Sequence, residues 1–185
     1  MELNKTKLKA MVHYIAEKAP NRLLGKVKLN KILWFSDREA YIYLGRTISG
    51  ETYLKFRLGP VSQHIQEIVD ELVKEKKVAV RKVRDFDHER FEFISLESMS
   101  TEEFAHFSPE EISILDKHIA VICHKHTAKG ISDLSHDETW RAFPEGVAIP
   151  FTACLSRKST LSSDDREWIA KHGAPSDADL AWLNA

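Results

Sequence analysis

The chain has 185 residues, of which 43% are hydrophobic and 30% are charged, and its formal net charge at pH 7 is -1. A chain of this length can bury a hydrophobic core as one domain, and its near neutrality is atypical of a protein that grips nucleic acid with a basic surface. No apolar run approaches the length that crosses a bilayer, and the N-terminus lacks the apolar stretch of a signal peptide. We therefore expect a cytoplasmic protein without a membrane segment.

The two halves of the chain differ in charge. Residues 1–98 contain 19 Lys and Arg against 14 Asp and Glu, which gives +5, and residues 99–185 contain 8 against 14, which gives -6. This division is compatible with a charged partner, although solvated surface charges explain it more simply.

Hydrophobic periodicity predicts two helices in the first 45 residues. The first carries an apolar stripe at i, i+3, i+4 and i+7 from Leu8 to Ile15 and ends before Pro20. The second covers residues 26–44, and Gly45 is placed to end it. Its apolar residues spread over more than one side, so we predict that this helix is central to the fold.

A Gly-Pro pair interrupts the next segment. Residues 46–58 mix a turn signal with alternating aromatic and basic residues, and they favour no single assignment. Gly59-Pro60 is predicted to start a third helix, because a proline at the first helical position loses no needed hydrogen bond. The apolar stripe of this helix runs from Val61 to Leu72.

Beyond the third helix the hydrophobic period changes to two. This period predicts an antiparallel β-hairpin at about residues 78–96. A fourth helix begins with a capping box formed by Ser108 and Glu111, and a second capping box is predicted at Ser135 and Glu138.

The segment 151–185 differs from the rest of the chain, because a serine-rich linker precedes two predicted short helices that carry Trp168 and Trp182. Such segments either dock on their own domain or bury their tryptophans in a partner. We therefore predict a compact, mainly α domain with a small antiparallel β-hairpin (α+β) over residues 1–150, followed by a linker and short helices.

The residue patterns that indicate catalysis or cofactor binding are missing. Neither a P-loop nor a dinucleotide-binding glycine pattern occurs, and the "HDETW" that begins at His136 lacks the second histidine of HExxH. Cys123, His124 and His126 do not converge on one point of a helix, and Cys154 forms no CxxC pair with Cys123. We therefore expect no enzymatic activity, no cofactor, no metal ion and reduced thiols.

Three helices followed by a two-stranded ribbon is the order of elements in a winged helix, whose third helix enters the major groove. The candidate DNA contacts are Ser62, Gln63 and His64 on the third helix and Arg81, Lys82 and Arg84 on the ribbon. The same helix carries Glu67, Asp70 and Glu71, which would bring carboxylates to a polyanion. DNA binding is therefore an alternative that is not favoured.

Two stretches of the sequence carry a resemblance to a known family. The first, "KVKLNKILWFSDREAYIYLGRTISGETYLKFRLGPVSQHI", combines a lysine-leucine helix, an acidic residue at Asp37 and a Gly-Pro-Val element. The second, "ISDLSHDETWRAF", contains a Ser-His pair and Trp140. Over about residues 8–150 the chain resembles the Panacea domain, which is found in phage-associated proteins and in the SocA-type antitoxin.

The resemblance implies an antitoxin of a toxin–antitoxin pair, which is non-catalytic and neutralises a toxin from an adjacent gene by direct protein–protein binding. The toxins paired with this domain are of many unrelated kinds. A further alternative is an adaptor that delivers its toxin to a protease. The candidate partner-binding residues are Gly59, Pro60 and His136 in the domain and Trp168 and Trp182 after it. Ordinary packing and helix termination remain open as explanations for each of them.

Overall fold

The computed structural model of the protein describes residues 2–20, 22–85 and 88–155. Its elements, in chain order, are α1 (Lys5–Lys18), α2 (Lys26–Leu44), β1 (Tyr53–Phe56), β2 (Gly59–Ser62), α3 (Ile65–Lys74), β3 (Val78–Asp85), β4 (His88–Ser95), α4 (Thr101–Phe104), α5 (Pro109–Lys125), α6 (Ala128–Leu134), α7 (Glu138–Arg141) and a 3-10 helix (Phe151–Cys154). The predicted mainly α fold with a small antiparallel β part is confirmed. The predicted helices of Trp168 and Trp182 lie outside the described residues.

The first two helices lie where the sequence predicts them. The side chain of Asn4 accepts a hydrogen bond from the backbone N–H of Lys7 and caps α1, whose apolar stripe is fully buried. Gly45 ends α2 in the left-handed conformation, with φ 70°. Because α2 packs against α1, α5, α6 and β2, the prediction that it is the central helix is confirmed.

Aromatic rings join α2 to the rest of the core. The Trp34 ring centroid lies 5.2 Å from that of Tyr53 in β1 and 5.4 Å from that of Phe151 in the 3-10 helix. Trp34 is 1% exposed and Tyr53 is fully buried. Trp34, one of the residues that widen the apolar surface of α2 in the sequence, thus packs this helix against β1 and the 3-10 helix.

The Gly-Pro pair does not start a helix, so that prediction is wrong. Gly59–Ser62 forms β2, which pairs antiparallel with β1 in the register Phe56↔Gly59 and Lys55↔Pro60. Helix α3 begins only at Ile65. Gly59 has φ +97°, outside the helical region, and the buried Nζ of Lys31 donates to the carbonyl of Pro60 at 2.8 Å. A tertiary contact therefore overrides the local helix-start signal.

The two predicted capping boxes have different outcomes. At the start of α5, Ser108 and Glu111 form the predicted reciprocal pair of hydrogen bonds, which confirms that box. The prediction of a box at Ser135 and Glu138 is wrong, because Ser135 is the C-cap of α6 and the side chain of Asp137 caps α7. Asp137 lies directly before α7 and offers a charged acceptor to the first helical turn.

The predicted β-hairpin at residues 78–96 is confirmed as β3 and β4, which pair antiparallel from Val78↔Ser95 onward. The order α1, α2, α3, β3, β4 matches the predicted winged-helix-like order, with the additional hairpin β1–β2 inserted before α3. Across the described residues, no helix combines the length and the apolar character that a membrane span requires.

Candidate functional site

The two stretches that carry the family resemblance meet around the turn between β1 and β2. We call residues 56–60 of this turn the hairpin tip. Four side chains hydrogen-bond to its backbone, and we call them the clamp. The clamp residues are Lys31 of α2, Ser132 of α6, His136 between α6 and α7, and Trp140 of α7.

The clamp holds successive backbone groups of the hairpin tip. Trp140 Nε1 donates to the Phe56 carbonyl at 3.2 Å, and Ser132 Oγ donates to the Leu58 carbonyl at 3.0 Å. Lys31 Nζ donates to the Pro60 carbonyl at 2.8 Å. The backbone of the short turn is therefore satisfied by side chains from three other elements, which fixes its conformation.

The backbone of Arg57 makes the fourth contact, through a hydrogen bond with the ring of His136. This ring stacks on Trp140 with centroids 4.0 Å apart and an interplanar angle of 21°. The ammonium of Lys55 lies 4.2 Å from the Trp140 ring centroid and donates to the Phe143 carbonyl at 2.5 Å. These contacts join α7 to β1 through a cation–π interaction as well as hydrogen bonds.

Gly59 is required at the centre of the tip for two reasons. Its φ of +97° is rarely adopted by residues with a side chain. A Cβ atom at this position would also lie 2.1 Å from Ser135 Oγ and 2.5 Å from Lys31 Nζ. Ser135 itself is buried and donates to the Ser132 carbonyl at 2.7 Å. The glycine therefore lets α6 and α2 approach the turn closely.

The clamp includes a buried lysine. Lys31 is 1% exposed, and burial lowers its pKa to about 7. The pKa of His136 is also lowered, first by burial and then by the charges of Lys31 and Arg141, against an opposing effect of Asp133. His136 Nε2 is buried and has no partner among the described residues. The buried bases of the site therefore favour their neutral forms.

Two buried carboxylates shape the segment that leads into the hairpin. Asp37 accepts hydrogen bonds from the N–H groups of Ile48 and Ser49 at 2.7 and 3.0 Å, and from the hydroxyls of Ser49 and Tyr53 at 2.6 and 2.7 Å. Burial raises the pKa of Asp37, and these donors act against that shift. The family-like Ile-Ser-Gly-Glu stretch is therefore folded around this carboxylate.

The candidate base-contacting residues lie around the second carboxylate, Glu51. Ser62 is buried, and its hydroxyl donates to Glu51 at 2.9 Å. The ring of His64 lies 3.0 Å from the same carboxylate, measured from Nδ1 to Oε1. Gln63 is exposed. Because these residues precede α3 instead of lying on it, the predicted display of all three on a helix does not occur.

The candidate phosphate contacts lie on β3 as predicted, and two of them are paired. Arg81 binds the buried carboxylate of Glu92, with Nη2 and Oε2 2.5 Å apart, and Lys82 pairs with Glu89 at 2.7 Å. Arg84 is exposed and unpaired among the described residues. The basic surface that the sequence suggested on the ribbon is thus partly neutralised by its own strand partner.

The two thiols take no part in the clamp. Cys123 and Cys154 are both free and buried. Burial raises the pKa of each thiol, that of Cys154 to about 11. Within residues 2–20, 22–85 and 88–155, no group of three His, Cys, Asp or Glu side chains is arranged to hold a metal ion.

Only some of the residues of the site could be identified from the sequence. Gly59, Pro60 and His136 were candidate residues, and the structure brings all three to the hairpin tip. The buried roles of Lys31 and Ser132 were missed. A usable signal for Lys31 was its position among the apolar residues of α2, where a helix buried on several sides must also bury its lysines. Trp168 and Trp182 lie outside the described residues.

Comparison with known proteins identifies one family. A family model described as "Antitoxin SocA-like, Panacea domain" matches residues 29–141, which is more than half of the chain and includes every clamp residue. No curated protein and no solved structure matches the chain. The match gives the chain the general role of an antitoxin, with a toxin as its partner in general terms. The protein therefore belongs to the SocA-like antitoxin family and contains its Panacea domain.

Proposed function

We propose that this protein is the antitoxin of a toxin–antitoxin pair and neutralises the product of an adjacent gene by binding it directly, in the cytoplasm and without catalysis. Family membership supports the general role. The observation that supports the mechanism is the clamp, in which side chains of the family motifs hydrogen-bond to the backbone of a surface turn.

A set of motif residues that served catalysis would point reactive groups at a substrate. Here the amine of Lys31, the hydroxyl of Ser132 and the indole N–H of Trp140 each donate to a backbone carbonyl of the tip. The motif therefore fixes the shape of a turn whose residues 56–58 are exposed. A rigid exposed turn suits protein recognition, because little conformational entropy is lost when it binds.

The other roles receive less support from the same contacts. Delivery of the toxin to a protease would also begin with toxin binding, and nothing in the described residues favours this further step. DNA binding would require free polar groups beside α3 and on β3. Among the candidate DNA contacts, Ser62 and His64 are instead hydrogen-bonded to the carboxylate of Glu51, and Arg81 forms an ion pair with Glu92.

Inducible expression in a bacterial host tests the proposal. We expect the adjacent gene to stop growth when expressed alone, and this protein to restore growth and to co-purify with the gene product. A toxin from an unrelated locus is the control and should not be neutralised. A harmless neighbour, or restored growth with no complex between the two proteins, would refute direct neutralisation.

A further inference from the structure

The hairpin tip exposes large side chains while its backbone is held. Phe56 is 41% exposed and Leu58 is 45% exposed, and Arg57 between them is also exposed. The backbone groups of the same three residues hydrogen-bond to Trp140, to His136 and to Ser132. The tip thus presents two apolar side chains and one cation from a fixed backbone.

Helix α6 also has an exposed apolar residue. Leu134, the last residue of α6, is 57% exposed, and Ser132 and Ser135, which flank it in sequence, approach the tip. Single exposed apolar residues are common on protein surfaces, whereas contiguous ones, such as Phe56 and Leu58 on one short turn, indicate an interaction site. The surface around the clamp is therefore suited to bury the apolar side chains of a partner.

The tip itself carries one exposed cation, Arg57, which has no carboxylate partner among the described residues. Asp133 pairs with Lys129 and Asp137 pairs with Arg38, so these carboxylates are neutralised locally. In the described part of the chain, Lys55 and Arg141 are further cations near the tip that lack a carboxylate partner, against unpaired Glu138 and Glu145. Burial is the main cause of the lowered pKa of His136, and the charges of Lys31 and Arg141 add to it against the effect of Asp133.

We propose that Phe56, Arg57, Leu58, Leu134 and Arg141 form a tip surface that binds an acidic segment of the toxin, and that an apolar side chain of this segment packs against Phe56 and Leu58. This inference rests on the proposed function and specifies where the toxin binds and with what chemistry. Charge complementarity selects the acidic partner, and burial of the exposed apolar groups supplies the affinity.

The test measures the affinity of the purified adjacent-gene product for the full-length protein by titration calorimetry. The variants are a Phe56→Ser, Leu58→Ser double substitution and Arg57→Glu. All three side chains are exposed, so we expect thermal unfolding close to that of the wild type. Matched controls are Val73→Ser, at an apolar residue of α3 that is 43% exposed, and Arg84→Glu on β3.

We expect each tip variant to bind about tenfold or more weakly, because central apolar and arginine contacts dominate interfaces, while the controls stay within about twofold. Added salt should weaken wild-type binding more steeply than binding by Arg57→Glu. Equal salt dependence in the two proteins would overturn the acidic chemistry.

The possible failures are distinguishable. If the wild type binds the toxin and the tip variants bind as tightly as the controls, this inference is wrong and the proposed function stands. If Val73→Ser and Arg84→Glu weaken binding more than the tip variants, the toxin binds beside α3 and β3, and the inference is again wrong. If the wild type does not bind at all, both the inference and the proposed function fail.

Discussion

Lys31 shows how a single residue can connect the core of this protein to its surface. It extends from the central helix α2, is 1% exposed, and ends in a hydrogen bond to the Pro60 carbonyl at the hairpin tip. Burial disfavours the charged form of an amine, and it lowers the pKa of Lys31 to about 7. The lysine can therefore donate to Pro60 as a neutral amine near neutral pH.

This lowered pKa predicts a specific pH dependence of stability. Between about pH 7 and the ordinary lysine pKa of 10.5, the unfolded chain keeps a proton on Lys31 that the folded protein has released. The unfolded state then binds more protons, so the free energy of unfolding rises with pH in this window. In Lys31→Met this contribution is absent, and the Pro60 carbonyl loses its donor at a cost of about 1–3 kcal/mol.

Urea unfolding of the wild type and Lys31→Met from pH 7 to pH 9 checks this prediction. Other titrating groups are shared by the two proteins and largely cancel in the difference between their unfolding free energies. We expect that difference to grow with pH in favour of the wild type. A difference that stays constant would mean that Lys31 keeps its ordinary pKa in the folded protein.

At the scale of elements, the β1–β2 hairpin depends on contacts with α2, α6 and α7. Its strands have only four residues each, and a two-stranded hairpin of this length is marginal in isolation. The clamp supplies the missing interactions from elements up to 84 residues away in sequence, the separation of Trp140 from Phe56. The shape of the tip is thus a property of the whole domain.

We predict that Gly59→Ala destabilises the protein more than Gly45→Ala. Both glycines have positive φ, so each alanine carries a backbone cost of about 1–2 kcal/mol or more, and this cost is greater at the φ of +97° of Gly59 than at the φ of +70° of Gly45. At Gly45 the added Cβ meets nothing within 4 Å, whereas at Gly59 it meets Ser135 Oγ and Lys31 Nζ. Overpacking of this kind adds about 1–3 kcal/mol.

Urea denaturation of the two variants measures this difference directly, because Gly45→Ala introduces backbone strain at a positive φ without a new close contact. Toxin binding should also weaken in Gly59→Ala, since the displaced tip changes the proposed binding surface. Equal destabilisation by the two substitutions would show that the close approach of α2 and α6 to Gly59 contributes little.

The helices and the second hairpin could be predicted from sequence because their signals are local. The stripe from Leu8 to Ile15 and the capping box at Ser108 each specify an element without reference to the rest of the chain. The β1–β2 hairpin could not be predicted in this way, because a Gly-Pro pair is also an ordinary helix start. The contact that favours a strand over a helix here is the hydrogen bond from the buried amine of Lys31 to Pro60, which lies 29 residues away in sequence.

The candidate site was predictable to the same limited extent. Its residue types were visible in the two family-like stretches of the sequence. The structure shows in addition that these stretches meet, and that most of the clamp side chains donate hydrogen bonds to backbone carbonyls. Spatial convergence of Lys31, Ser132 and Trp140 on one turn depends on the packing of α2, α6 and α7, which no periodicity in a single segment encodes.

At the scale of the whole molecule, the proposed function is that of an antitoxin that works by forming a complex. Its motif residues build a rigid exposed turn, and the buried thiols of Cys123 and Cys154 have raised pKa values that suppress thiolate chemistry. Such a protein must act stoichiometrically, since each molecule occupies one toxin molecule for as long as the complex lasts. A catalyst that modified the toxin would instead act at a small fraction of the toxin concentration.

Titration of purified toxin with this protein, followed by the toxin's own activity, tests that claim most directly. We predict that activity falls in proportion to the protein added and reaches its end point at a fixed stoichiometric ratio. Toxin recovered from the dissociated complex should be active and unchanged in mass. Complete inactivation by a small fraction of an equivalent, or a toxin recovered with altered covalent mass, would contradict the account.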